Sequence, residues 1–484
     1  MTHTLIFSLL LFWALLPAPS AAQPTRLPEP VAQALAQAGI PGTSAAVYVH
    51  EIGVEQPVVA HGADRPLNPA STMKLVTTYA ALDLLGPAYV WNTEVYATGT
   101  LQQGVLNGDL MLKGYGDPRL TLENFWLLLR NLRSRGVREI RGNLLLDHSY
   151  FNAAGYDPAR FDDQPTRPYN TGPDALLVNF KAVTLQFVPD RDARTVKILA
   201  DPALPQLAIV NNLTLGNGAC GDWVPRLKLE AQGNGDAARL AFNGVYAWDC
   251  GEKTRSFSVL GHRQYVGALF AQMWKELGGS FNGGVRYGEV PPDARLLTSA
   301  KSESLSEIVR HINKFSNNVM ARQLFLTLGA VGVDPPATFD KANQSIRLWL
   351  SGKGLSFPEL VIENGSGLSR VERISAKHLG QLLLAAFRSP VMPELIASLP
   401  LVAMDGTMKR RLKDADVAGQ AHIKGGTLEG VRAIAGYVLD SQGRRVVVVF
   451  IVNHANAGNA QPVQDALLKW VYSREGGECC RRRR

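Results

Sequence analysis

Three strand-like runs near the carboxyl end constrain the fold most. They are Ala421–Leu428, Val431–Leu439 and residues 445–452, the last reading R-V-V-V-V-F-I-V. The turn Asp440-Ser441-Gln442-Gly443 joins the second run to the third. Such runs between turn residues predict antiparallel strands. A fourth run, A-A-V-Y-V-H at 45–50, predicts a strand far away at the amino end. Helical periodicity covers residues 23–37, 305–328, 339–350, 376–387 and 463–472. A sheet made of these strands and covered by these helices is an α+β domain in three layers, assembled from two distant pieces of chain.

Between the pieces the texture changes. Short alternating runs such as Val95-Tyr96-Ala97 and Asp109-Leu110-Met111-Leu112 predict strands. A helix is expected over 120–135 and a strand over 143–147. Residues 180–255 read as strands with polar turns (N-N-L-T, G-N-G, Q-G-N-G-D). This is a β-rich insertion. The expected division is 1–22 leader, 23–92 first catalytic piece, 93–255 insertion, 256–474 second catalytic piece (with a helix at 264–277) and 475–484 tail.

Hydrophobic residues make up 46% of the chain and charged residues 19%, enough for sizeable cores. The net charge of +8 comes with no zinc-finger spacing and no helix bearing a dense basic stripe, so no nucleic-acid partner is expected. Residues 5–16 are apolar but too few to span a bilayer. They lead into P-A-P-S-A-A-Q, where small residues predict a secretory leader cut after Ala22, although the n-region lacks Lys and Arg. No other stretch suits a membrane anchor. Export makes a Cys220–Cys250 disulfide the expectation. Cys479 and Cys480, in the tail, have no assigned role. No Cys/His spacing suggests a metal, and no cofactor is expected.

The chemistry centres on residues 68–87, N-P-A-S-T-M-K-L-V-T-T-Y-A-A-L-D-L-L-G-P. Asn68 as N-cap, Pro69 at the first position and Gly86-Pro87 at the far end predict a helix. Ser71 and Lys74, three apart, share a face near its amino end. A lysine shielded from water or placed near another cation loses its proton readily and can activate a serine. Ser316-Asn317-Asn318 lies in a later helical stretch, and Lys424-Gly425-Gly426-Thr427 on a predicted strand. There is no G-x-S-x-G elbow, and the histidines are scattered.

S-x-x-K, S-x-N and K-[TS]-G in this order form the motif set of penicillin-binding proteins and class A β-lactamases. The mature chain resembles the peptidase S13 family, the penicillin-binding protein 4 type D-alanyl-D-alanine carboxypeptidase/endopeptidase. The matching stretches are G-D-P-R-L (116–120), G-N-L-L-L-D-H-S-Y-F (142–151), W-D-C-G-E-K (248–253), G-S-G-L-S-R (365–370) and D-G-T-M-K-R-R-L (405–412). The resemblance implies a transpeptidase-like domain, an antiparallel sheet flanked by helices, split by an insertion after the nucleophile helix.

It also implies roles. Ser71 attacks the carbonyl between two D-alanines and Lys74 takes its proton. Ser316 relays a proton to the leaving amine beside Lys424. Asn318, Gly425, Gly426 and Thr427 bind substrate, with the N–H groups of Ser71 and Thr427 as oxyanion hole. Asp163, with Asp162 as the alternative, and Arg370 recognise diaminopimelate. The partners implied are peptidoglycan muropeptides in the periplasm, with β-lactams as inhibitors. Two positions depart from the family. Gly425 stands where Thr or Ser is usual, a loss that Thr427 on the same strand face is placed to offset, and Asn364 stands where Asp is usual. Two rival readings remain: a β-lactamase using Glu363, and a non-catalytic wall-binding scaffold damaged at Gly425.

Overall fold

The computed structural model describes residues 26–233 and 235–474. The expected leader (1–22) and tail (475–484, with Cys479 and Cys480) lie outside these. Among the described residues no helix is long and apolar enough to cross a membrane.

The expected sheet forms from both ends of the chain. Its strand order is Val59–His61, Ala45–Glu51, Arg445–Asn453, Val431–Leu439, Ala421–Leu428, antiparallel throughout. Residues 446–452 are fully buried because both faces are covered. Val447, Val449 and Ile451 face a core built with Leu75, Val76, Ile312, Phe325 and Leu383. Val446, Val448, Phe450 and Val452 face Val31 and Leu35 of the helix Glu29–Gln37 and Val463, Leu467 and Leu468 of Gln461–Ser473. At about 1.5–3 kcal/mol for each large apolar side chain buried, this strand is the anchor of the domain. The helix Met392–Ser398, not foreseen, caps one end of the first core through Leu395 and Ile396.

The insertion has its own core. Strands Val285–Tyr287, Leu144–Asp147, Leu110–Gly114, Asn92–Ala97 and Arg295–Lys301 form one mixed sheet. Two three-stranded sheets lie beyond it, drawn from residues 183–257, with Cys220 and Cys250 joined as a disulfide. The second crossing, expected at 256, comes later. The helix His262–Glu276 puts Tyr265, Leu269, Phe270 and Trp274 into the insertion's core beside Phe125 and Leu128, and Arg295–Lys301 covers the edge of Asn92–Ala97. Periodicity identified the helix but could not say which core it served. The chain enters and leaves the insertion at a clasp: Trp91 N donates to Ser302 Oγ (2.9 Å) and Ser302 N to Trp91 O (2.9 Å).

The helix Asn318–Gly332 ties the two parts together. Gln323 donates to Asp174 O (2.8 Å) and accepts from Asp174 N (3.1 Å). Arg322, only 1% exposed, donates to the carbonyls of Tyr169 and Thr171. A buried guanidinium left without acceptors would be costly, so these bonds fix the loop 161–171 against the catalytic layers.

Candidate active site

Ser71 sits in a 3₁₀ turn, Ala70–Met73, and the α-helix proper begins at Lys74 and ends at Leu85 before Gly86 (φ 81°). Asn68 organises the turn: its Oδ1 accepts from Ala70 N (2.9 Å) and its Nδ2 donates to Ser369 O (2.8 Å). Ala70 has φ 46°, a conformation L-residues occupy at a cost, held here by packing on both sides. On one side Gly367 (φ 78°) leaves no room for a β-carbon against Ala70 O. On the other, a β-carbon at Gly426 would stand 2.7 Å from Pro69 O and 3.1 Å from Ser71 N, so the strand can approach the nucleophile only as glycine.

The helix Lys74–Leu85 is buried all round its first turns, and Lys74 is 0% exposed. Its Nζ has three neighbours: Ser71 Oγ (3.1 Å), Asn318 Oδ1 (2.5 Å) and the Ser366 carbonyl. The two carbonyl oxygens can only accept. A neutral amine therefore gives them its two N–H groups and keeps its lone pair for the Ser71 hydroxyl. Burial holds Lys74 well below the usual amine range, with Lys424 and Arg322 pushing the same way and Glu372 opposing. The arrangement can take a proton from Ser71.

Ser316 and Asn318 are not inside one helix, as the pattern over 305–328 predicts. Helices Leu305–Phe315 and Asn318–Gly332 are separate, and Ser316 sits between them at φ 56°. Asn317 caps the second helix through Met320 N (3.0 Å). The hydrophobic period runs on across this break, which is why the sequence conceals it. The break turns Ser316 Oγ toward Lys424 Nζ (2.8 Å). Lys424 is fully buried and burial lowers it to about 7.

The strand Ala421–Leu428 is an edge strand. Ile423 N donates outward to Pro400 O (2.8 Å), so by alternation the N–H groups of Gly425 and Thr427 face the same open side, beside Ser71. A cavity of about 290 Å³ is lined by Ser71, Ser316, Met408, Arg411, Gly425, Thr427 and Arg432 among others. The stretch D-G-T-M-K-R-R-L builds its wall. Asp405 pairs with Lys314 (2.6 Å), and Arg411 donates to Gln464 Oε1 (3.1 Å) and pairs with Asp465.

A second cavity, about 310 Å³, lies between the loop 154–161 and the stretch Glu363–Val371. Arg370 lines it, its guanidinium 4.7 Å from the Phe161 ring centroid and its Nη1 donating to Glu429 O (3.2 Å). Asp163 is not brought into this lining. It is exposed, with no partner for its carboxylate among the described residues. The alternative, Asp162, is occupied by Tyr169 Oη and Asn170 Nδ2, each at 2.7 Å.

Three residues here resolve or extend the sequence reading. Asn364 accepts from Ser366 N (3.0 Å) and Ser366 Oγ (2.6 Å) and donates to Leu368 O (3.0 Å), the last a bond that Asp could not make. Glu363 is engaged by Arg160 (3.2 Å) and lines the second cavity, not the one that holds Ser71. Glu372 has no motif to reveal it. It is 0% exposed, accepts from the N–H groups of Glu363 (3.1 Å) and Asn364 (3.0 Å), and burial raises it to about 7. Its only sequence signal is its place two residues beyond Arg370.

The chain matches the D-Ala-D-Ala carboxypeptidase 3 (S13) family over residues 27–473. It is 29% identical to the D-alanyl-D-alanine carboxypeptidase of Actinomadura sp. (strain R39), over 93% of this chain and 85% of that one. It is 24% identical to the D-alanyl-D-alanine carboxypeptidase DacB of Haemophilus influenzae, over 87% of each. Its fold superposes on the crystal structure of penicillin binding protein 4 from Haemophilus influenzae with a TM-score of 0.78 and 24% identity, covering 92% of this chain and 99% of that one. The α+β penicillin-binding fold and the match along nearly the whole chain agree: this protein belongs to the D-Ala-D-Ala carboxypeptidase 3 (S13) family of serine peptidases.

Proposed function

We propose that this enzyme hydrolyses the terminal D-Ala-D-Ala bond of peptidoglycan stem peptides, and the related bond of cross-links, through an acyl-enzyme on Ser71. The observation that carries the reading is the buried Lys74 amine, 3.1 Å from Ser71 Oγ, with carbonyl oxygens on its other two sides. Lys74 takes the Ser71 proton as Oγ adds to the scissile carbonyl. The N–H groups of Ser71 and Thr427 hold the oxyanion, a term typically worth about 3–4 kcal/mol per donor. Collapse breaks the C–N bond. The Ser316 hydroxyl passes its proton to the departing amine and is reprotonated from the lysine pair, releasing D-alanine or, from a cross-link, the second stem peptide. Water, deprotonated by Lys74, then hydrolyses the ester and restores Ser71.

Asn318 holds Lys74 and binds the substrate backbone. Arg370, which lines the second cavity, and Asp163 recognise the carboxylate and ammonium of a diaminopimelate side chain. β-Lactams acylate Ser71 and leave slowly. The site of action is the periplasm, reached through the leader.

The test is incubation with purified muropeptides followed by mass analysis. Loss of one alanine reports carboxypeptidase activity, and splitting of dimers reports endopeptidase activity. Intact muropeptides, from protein that still binds them, would favour the scaffold reading instead.

A further inference from the structure

In this cleft the position after Lys424 offers no hydroxyl. A β-carbon at Gly425 would lie 3.3 Å from Met408 Cε, a tight contact with the methyl end of that side chain. The neighbouring strand supplies a different group. In the antiparallel register Thr427 pairs with Arg432, and Gly425 pairs with Ile434. Directly paired residues project on the same face. Arg432 Nη1 donates to Thr427 Oγ1 (2.6 Å), and both side chains line the cavity that holds Ser71 and Ser316.

The cavity has a second arginine, and the contrast is informative. Arg411 is satisfied by the Asp465 carboxylate and by Gln464 Oε1 (3.1 Å). Arg432 has no carboxylate partner among the described residues. A guanidinium has five N–H donors, and one is used on Thr427. A threonine oxygen that accepts from arginine keeps its own O–H free to donate. The pair therefore presents one O–H and several N–H groups, with an uncompensated positive charge, to the space beside the scissile bond. This suits a carboxylate, which accepts paired charge-assisted bonds.

We propose that Arg432, acting with the Thr427 hydroxyl, binds the terminal carboxylate of the departing D-alanine and so determines specificity for a free carboxyl end. This rests on Ser71 being the acylated residue. The absence of a hydroxyl at 425 is then no lesion, because the carboxylate is held from the next strand.

The experiment compares three substrates on the full-length protein and on Arg432→Ala, Arg432→Gln and Arg432→Lys. They are an N-acylated L-Lys-D-Ala-D-Ala, the same peptide with a terminal carboxamide, and an acyl-D-alanyl thioester whose leaving group carries no carboxylate. For Arg432→Ala and Arg432→Gln, kcat/KM on the free acid falls by about tenfold or more, while the carboxamide and thioester change by less than about threefold. Arg432→Lys recovers part of the loss on the free acid only. An equal loss on all three substrates makes Arg432 structural and overturns the proposal, as does an unchanged rate on the free acid. Failure of the thioester to label Ser71 in the unsubstituted protein, read by peptide mapping, overturns the Ser71 reading itself. Labelling without carboxylate discrimination overturns only the role of Arg432.

Discussion

Lys74 and Lys424 lie fully buried at the floor of the cleft, each held by neighbours that leave little choice of position. At the proposed rim, Arg370 lines the second cavity and Asp163 lies outside its lining, both exposed and on loops. The difference is physical. A buried amine must lose its proton or find acceptors, so its surroundings fix both its charge and its direction. An exposed guanidinium or carboxylate is solvated whether or not substrate is present, and its pairing is worth little until the partner arrives. The floor is built for chemistry before substrate binds. Under the proposed function, Arg370 and Asp163 find their partners only when substrate arrives.

The largest expected effect breaks the floor. Lys74→Met removes the base and keeps the volume. Acylation by penicillin and by peptide should both fall about a thousandfold. A loss confined to peptide would place Lys74 on the recognition side of the comparison. At the rim the effect is smaller and selective. Arg370→Ala and Asp163→Ala should each lower turnover of diaminopimelate-containing peptides by about tenfold, the effect of about 1.4 kcal/mol. Penicillin acylation, measured in the same variants, should stay within about threefold. Parallel losses would show that these residues support the loop rather than the ligand.

The smallest effect separates floor from rim by pH. The Glu372 carboxylate favours the charged form of Lys74, opposing burial. Glu372→Gln removes that influence, so Lys74 gives up its proton more easily. The acid limb of the acylation rate should move to lower pH, and an unmoved limb would exclude the coupling. The stability change has its own sign. Glu372 has its proton affinity raised from the ordinary 4.5 to about 7. Its favourable contribution is full below the lower value and is lost as pH rises through the upper one. Thermal melts should therefore favour the Gln variant progressively between these values.

The same contrast explains what could be read in the sequence. Ala421–Leu428 and Val431–Leu439 form with the expected bounds, since the turn residues that flank them fix them locally. Ser71, Lys74, Ser316, Asn318 and Lys424 come together as their motifs imply. The break at Ser316 was hidden because apolar spacing continues through it. The helix His262–Glu276 was visible, but its allegiance to the insertion was not, because periodicity reports a buried stripe and not the partner that buries it. Glu372 and Arg432 belong to no motif. Their positions follow from a loop that folds back under Lys74 and from strand register, both settled only by the assembled fold.

The central claim, that Lys74 makes Ser71 the acylated nucleophile, is tested most directly by intact-protein mass spectrometry after treatment with penicillin, followed by peptide mapping. One adduct on Ser71 is expected in the unsubstituted protein and none on Ser71→Ala. An adduct on the Ser71→Ala protein, or one mapped to Ser316 in the unsubstituted enzyme, would contradict it.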